Sequence, residues 1–307
     1  MKIVSLSALV ALLGVCSASL PAIGDPGKAN ESGSPHASQP QRIIAAGGVV
    51  TEIVYALGRA EVLVGVDSTS TYPASALKEK ANVGYVRALS SEGLLSLNPT
   101  SVIAIESAGP PDILKTVEDA GVQVSRLSDV ATPAGISAKI KEVAKLVGEP
   151  AKGAALAAET DKQFAALSAL RSKIEKPRRA LFILSFMNGR AMVGGRDTSA
   201  DGILTLAGLQ NAASTLNGWK PISDEALFDA APDIIIAMGH GPQDVTVNSI
   251  LAVPAFAATP AAKSKSIFIF DGGYLLGFGP RTPSAARDLL LAAYPKLAGQ
   301  DKRSDLQ

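Results

Sequence analysis

Cysteine is all but missing: Cys16 stands alone among 307 residues, so no disulfide can close within the chain. Histidine is nearly as scarce. With His36 and His240 as the only imidazoles and no second thiol, a Cys/His zinc site of the usual kind cannot be assembled. Aromatic residues make up 5% of the chain, which argues against a surface lined by many stacking rings. The formal net charge is +1, so no bulk field draws the protein to nucleic acid. Catalytic signatures are missing too: there is no G-x-S-x-G, no phosphate-cradling G-x-x-x-x-G-K-S/T and no H-E-x-x-H. These absences weigh against hydrolases and metalloenzymes, and the chain reads as a non-enzyme.

Only one long apolar run is present, and it lies at the start. Lys2 precedes Ile3 to Val15, and the small residues Ser17, Ala18 and Ser19 follow. A positive residue, a short apolar stretch and small residues form an export signal, assigned to residues 1–23 with cleavage near Ala18. The run is too short to span a membrane. Leu13-Gly14-Val15-Cys16 faintly resembles a lipoprotein processing site, although Val before Cys fits poorly. Residues 24–41 carry Gly, Pro, Ser, Asn and Gln without apolar periodicity and read as a disordered tether.

What is present, and most informative, is a pattern that occurs twice. Ser91-Glu92-Gly93-Leu94-Leu95-Ser96-Leu97-Asn98-Pro99-Thr100 precedes the apolar Val102-Ile103-Ala104-Ile105. Asp224-Glu225-Ala226-Leu227-Phe228-Asp229-Ala230-Ala231-Pro232-Asp233 precedes Ile234-Ile235-Ile236-Ala237, with Glu92 and Glu225 standing 133 positions apart. A short helix opened by an acidic residue and closed by Pro, then a buried strand, is a βαβ fragment. That spacing is too long for a solenoid repeat, so it predicts two similar α/β lobes with a cleft between them.

The order of elements supports this. Strands are expected at 43–46, 62–66, 101–105 and 122–124, and helices at 49–57, 90–97 and 111–120, an alternation that implies a parallel sheet. After Gly148-Glu149-Pro150 a helix of about 24 residues begins near Ala151, roughly 36 Å long at 1.5 Å per residue. It is a candidate connector, or else a surface helix of the first lobe. A second lobe then opens with strand 179–184, a Gly194-Gly195 turn and helix 199–206. Strands 234–238 and 267–270 and a terminal helix from Pro283 to Ala293 complete it. The boundaries are 42–150 for the N-terminal lobe, 151–176 for the connecting helix and 177–307 for the C-terminal lobe.

The chemistry-bearing segment is Val83-Gly84-Tyr85-Val86-Arg87, in a loop just before the first repeat copy. A phenol, with a pKa of about 10, is a poor ligand for most metals at neutral pH. Fe(III) is the exception, because its charge favours the phenolate, and tyrosine is an axial ligand of haem iron. In an extended loop Arg87 lies on the same side as Tyr85, in position to hydrogen-bond the anion. By themselves such residues are more often ordinary surface.

The stretch from Gly84 to Thr100 resembles the signature of periplasmic haem-binding proteins of bacterial haem-uptake ABC transporters. The resemblance continues through Val193-Gly194-Gly195-Arg196-Asp197-Thr198-Ser199-Ala200-Asp201 and Leu275-Leu276-Gly277-Phe278-Gly279-Pro280-Arg281-Thr282-Pro283, and it covers essentially residues 42–297. It implies two Rossmann-like lobes joined by one long helix, with ferric haem b carried in the cleft as a transported ligand. It makes Tyr85 the metal ligand and Arg87 the partner of its phenolate. Glu92 and Glu225 become the pair that docks onto the two permease subunits of an importer, downstream of an outer-membrane haem receptor. Equivalent residues on two lobes suit a two-fold partner; each is equally a helix N-terminal acid. Further cleft candidates are Met187, Asn188, Arg190, Arg196, His240 and the alternative phenols Tyr72 and Tyr274, the last in a mobile-looking loop. His240 departs from the family pattern; a sixth ligand, a propionate partner and a solvated loop residue all stay open. Trp219 reads as packing. The same fold also serves siderophore and cobalamin binders, which form the alternative.

Overall fold

Two separate β-sheets, each built around a strand buried on both faces, organise the chain. The computed structural model describes residues 40–187, 190–239 and 245–300. The export signal and nearly all of the expected tether therefore lie outside the described residues.

The first lobe runs β1 (Ile43–Ala46), α1 (Gly48–Ala56), β2 (Leu63–Val66), α2 (Ala76–Glu79), β3 (Ala81–Asn82), α3 (Ser91–Leu95), β4 (Ser101–Ile105), α4 (Pro111–Asp119), β5 (Gln123–Leu127) and α5 (Pro133–Leu146). Its sheet is wholly parallel in the order β3-β2-β1-β4-β5, a Rossmann-like arrangement whose order reverses beside β1. Then α6 (Pro150–Arg171) runs for 22 residues, about 33 Å at 1.5 Å per residue. It ends at Arg171, where Ser172 caps it with a backbone bond back to Ser168.

The second lobe has β6 (Arg179–Met187), β7 (Arg190–Gly194), α7 (Ser199–Leu206), β8 (Gln210–Asn211), β9 (Trp219–Pro221), α8 (Asp224–Ala230) and β10 (Ile234–Gly239). The short helices α9 (Val247–Leu251), α10 (Pro254–Ala257) and α11 (Pro260–Lys263) follow, then β11 (Ile267–Asp271), α12 (Gly272–Leu276) and α13 (Thr282–Ala293). Here the expectation fails in one respect. The lobe does not open as the first does, because β6 turns back as an antiparallel hairpin with β7, which also pairs antiparallel with β9. The sheet, β11-β10-β6-β7-β9, is therefore mixed. Antiparallel strands need only a tight connection, so no helix separates β6 from β7.

Alternate residues of β1 show how the layers form. Ile43 and Ala45 enter one apolar cluster while Ile44 and Ala46 enter another, as a period of two requires. The first cluster continues through α1, α5 and α6 to Phe182, Ile234 and Ile236 of the second sheet and to Leu289 and Leu290 of α13. The two lobes thus share one continuous core behind the sheets. At its centre α6 meets α5 at Gly153, where a Cβ would lie 2.1 Å from that of Ala144. Each sheet has its own smaller cluster on the opposite face. No helix among the described residues is long and apolar enough to cross a membrane.

Candidate functional site

The repeat is visible in the backbone as well as in the sequence. Ser90 caps α3 by accepting from the Gly93 amide at 3.1 Å, and Ser223 caps α8 by accepting from the Ala226 amide at 3.2 Å. Leu94 and Leu227 plug into their lobes. Asn98 and Ala231, each six residues beyond its glutamate, adopt left-handed backbone at φ 46° and 36° immediately before a proline. Glu92 and Glu225 therefore occupy the same place, the exposed first turn of a capped helix, in the two lobes.

Tyr85 follows β3, the edge strand of the first sheet, at the carboxyl end of the parallel strands, which is where open α/β sheets bind ligands. Its segment is a turn and not extended chain: the Ala88 amide donates to the Tyr85 carbonyl at 2.8 Å. That removes the expected reason for Tyr85 and Arg87 to share a side. Val83, Val86 and Leu89 are buried in the lobe core, and Gly84 takes the positive φ of 94° that starts the bend. Backbone bonds from Ser68 to Gly84 (2.8 Å), from Gly109 to Val86 (2.9 Å) and from Leu89 to Gly109 (3.0 Å) fix the segment. Tyr85 is left 50% exposed and Arg87 exposed as well, neither with a hydrogen-bond partner among the described residues. A rigid loop thus presents a free phenol and a free guanidinium.

Tyr274 is placed differently. It sits in α12 and not in a loop, because Asp271 caps that helix by accepting the Tyr274 amide at 2.7 Å. Its hydroxyl donates to Asp288 at 2.8 Å, and burial together with that carboxylate pushes its pKa well above the usual phenol value. As a neutral donor, Tyr274 is a poor rival for an iron(III) site. Tyr72, in the loop after β2, carries the Arg281 guanidinium 3.6 Å above its ring centre.

Arg190 is exposed on the β6–β7 hairpin opposite Met187, not in a plain loop. Asn188, the Met187 side chain and His240 lie outside the described residues. Gly239, at the carboxyl end of β10, is the last described residue before His240. Arg196 is exposed, and a bridge ties its backbone to Asn217. Trp219 packs edge-on against Phe182, with ring centres 6.1 Å apart. Among the described residues no three His, Cys, Asp or Glu side chains gather to hold a metal ion.

Three polar residues escaped the sequence reading as individuals. Asp67 is fully buried and accepts from the Gly47 amide (2.8 Å) and from the Thr69 amide (2.8 Å). Glu52 of α1 and Arg281, just before α13, form an ion pair between the lobes in which two guanidinium nitrogens donate to one carboxylate oxygen at 2.8–2.9 Å. Arg281 lies in the quoted Leu-Gly-Phe-Gly-Pro-Arg stretch, but its partner is 229 residues away and no local pattern points to it.

Residues 43–273 match the model of the periplasmic binding protein family. Among solved structures, the periplasmic heme-binding protein RhuT from Roseiflexus sp. RS-1 in apo form is 39% identical, covers 84% of this chain and 99% of its own, and superposes with a TM-score of 0.79. Curated relatives include YvrC of Bacillus subtilis, described as an uncharacterized ABC transporter substrate-binding lipoprotein. It is 25% identical over 84% of this chain and 81% of its own. The vitamin B12-binding protein of Vibrio campbellii is 27% identical over 65% of this chain and 71% of its own.

Proposed function

The chain belongs to the periplasmic binding protein family, and from that premise we propose that its solute is ferric haem, held by the Tyr85 phenolate and delivered to an ABC importer. One observation carries this: a free phenol on a rigid loop at the ligand-binding edge of the first sheet, while the phenol of Tyr274 is held protonated by burial and Asp288. Oxidised iron binds an anionic oxygen strongly, and the porphyrin supplies four more ligands, so one side chain suffices. Arg87, in the same turn and without a partner among the described residues, stabilises the phenolate. Arg190 and Arg196 are basic partners for the propionates.

The lobes comprise residues 42–150 and 177–307, with the connecting helix in 151–176. The protein is exported by the leader at residues 1–23 to the periplasm, where residues 24–41 form a tether. Delivery follows when Glu92 and Glu225 meet arginines on the two permease subunits. Their matched positions suit a two-fold partner. The relative named as a substrate-binding lipoprotein of an ABC transporter supports the importer.

Cobalamin is the second reading, favoured by the relative named for vitamin B12. The heme-binding neighbour is the more similar, 39% against 27% identical. Titrating the purified protein with hemin, cyanocobalamin and a ferric siderophore separates them. Saturable binding of hemin alone is expected; binding of cyanocobalamin in its place would transfer the assignment.

A further inference from the structure

Arg281 contacts α1 and the loop after β2, both distant in sequence, as well as the neighbouring α12. Its Nε and Nη2 donate to Glu52 Oε2 at 2.9 and 2.8 Å, and its backbone amide donates to Glu52 Oε1 at 3.1 Å. The guanidinium lies 3.6 Å above the Tyr72 ring and 5.3 Å from that of Tyr274. Glu52 is only 7% exposed, so this charge is held inside the protein and satisfied there. Beside it the backbone of Gly279 is pressed on α1, where a Cβ would come within 2.7 Å of Val49.

The first-lobe side of this contact leads to Tyr85. Next to Glu52 on α1, Thr51 shares a 2.8 Å hydrogen bond with Ser70. Asp67 binds Ser70 and Thr69 and holds the loop that ends in Tyr72. The Ser68 amide of that same loop donates to Gly84, the residue before Tyr85. A path of hydrogen bonds, joined through the chain neighbours Thr51–Glu52 and Asp67–Ser68, therefore runs from Arg281 in the second lobe to the backbone that presents Tyr85 in the first.

We propose that Arg281 is a positioning residue for ligand capture, fixing the separation of the two lobes and the loop against which Tyr85 is set. It touches no ligand in this role. It sets the cleft width in advance, so that binding does not spend free energy on ordering the halves. The proposal rests on the haem reading for its ligand but not for its geometry.

The test uses the full chain carrying Cys16→Ser with spin labels on Ser96→Cys and Thr215→Cys, one exposed site in each lobe. Inter-label distances are measured by pulsed electron paramagnetic resonance, without ligand. A narrow distribution is expected for the parent and a clearly wider one for Arg281→Ala and for Glu52→Gln, the milder change should Arg281→Ala fail to fold. In the unlabelled background, hemin affinity falls roughly tenfold in both variants while the spectrum of the bound form is unchanged, because Tyr85 still holds the iron. Arg281→Lys falls between, since a lysine keeps the charge without the fork of two donors or the ring stacking. A distance distribution that stays narrow, or a hemin affinity within twofold of the parent even where the melting temperature drops, overturns the proposal. If the parent binds no hemin, the haem reading fails, and the distance measurement still decides whether Arg281 sets the lobes.

Discussion

Replacing Glu92 and Glu225 together with alanine separates docking from binding. Both side chains are exposed, in the first turn of α3 and of α8, and their serine caps are separate residues that remain. Each change removes a favourable contact with the helix dipole, worth about 0.3–1 kcal/mol at low salt. The pair should then cost about 1 kcal/mol of stability, a fall of about 2 °C in melting temperature for a chain of this size. Hemin affinity should stay within twofold, because neither residue belongs to the loop that presents Tyr85. At a permease interface the effect is larger: cutting one member of a desolvated charge pair costs about 2–5 kcal/mol, at 1.4 kcal/mol per tenfold in affinity. Each single variant should therefore stimulate the ATPase of the reconstituted importer at least tenfold less well, by similar factors, and the double variant not at all. Raising the salt concentration should weaken the parent in the same direction. Full stimulation by the double variant, or a loss of hemin affinity in parallel, would refute the docking assignment.

Three other substitutions probe separate parts of the account. Tyr274→Phe removes the hydrogen bond to Asp288, costing about 1 kcal/mol of stability, yet should leave the hemin spectrum unchanged; a lost spectrum would make Tyr274 the ligand. Lys139 is 3% exposed with Asp129 as a distant partner at 3.8 Å, and burial lowers its pKa. Because the folded-state value is depressed, the penalty of burying the charge is in full force at neutral pH. It is relieved as pH rises from the depressed value towards that of the unfolded chain. Lys139→Met should accordingly raise the melting temperature by roughly 2–4 °C at pH 7, with the gap narrowing as the solution is made alkaline; a lower melting temperature at pH 7 would contradict this. Gly153→Val drives a side chain into Ala144 and should cost about 2–3 kcal/mol, roughly 4–6 °C by calorimetry; an unchanged transition would mean that α5 and α6 are not close-packed there.

Much of the fold was legible where local pattern and burial agree. The runs Ile43–Ala46, Ser101–Ile105, Ile234–Gly239 and Ile267–Asp271 are apolar, short and flanked by turn residues, and all are strands. The repeated Glu-to-Pro spacing likewise returned as two capped helices with matching left-handed exits. The β6–β7 hairpin was missed because Arg190-Ala191-Met192-Val193-Gly194 is short and carries little alternation, so its pairing is set by β6 and β9 rather than by its own residues. Tyr274 was read into a loop because of Gly272-Gly273, yet the Asp271 cap outweighs the poor helix propensity of the glycines. The Glu52–Arg281 pair has no local signature at all, since it exists only once the two lobes have come together.

The most direct test is the absorption spectrum of the purified protein with one equivalent of hemin, recorded beside that of Tyr85→Phe. Because Tyr85 is half-exposed and without a hydrogen-bond partner among the described residues, the substitution should leave folding intact. The parent should show a Soret band with high-spin ferric features, and the variant should lose most of both. If Tyr85→Phe gives the parent's spectrum at the parent's affinity, Tyr85 is not the iron ligand.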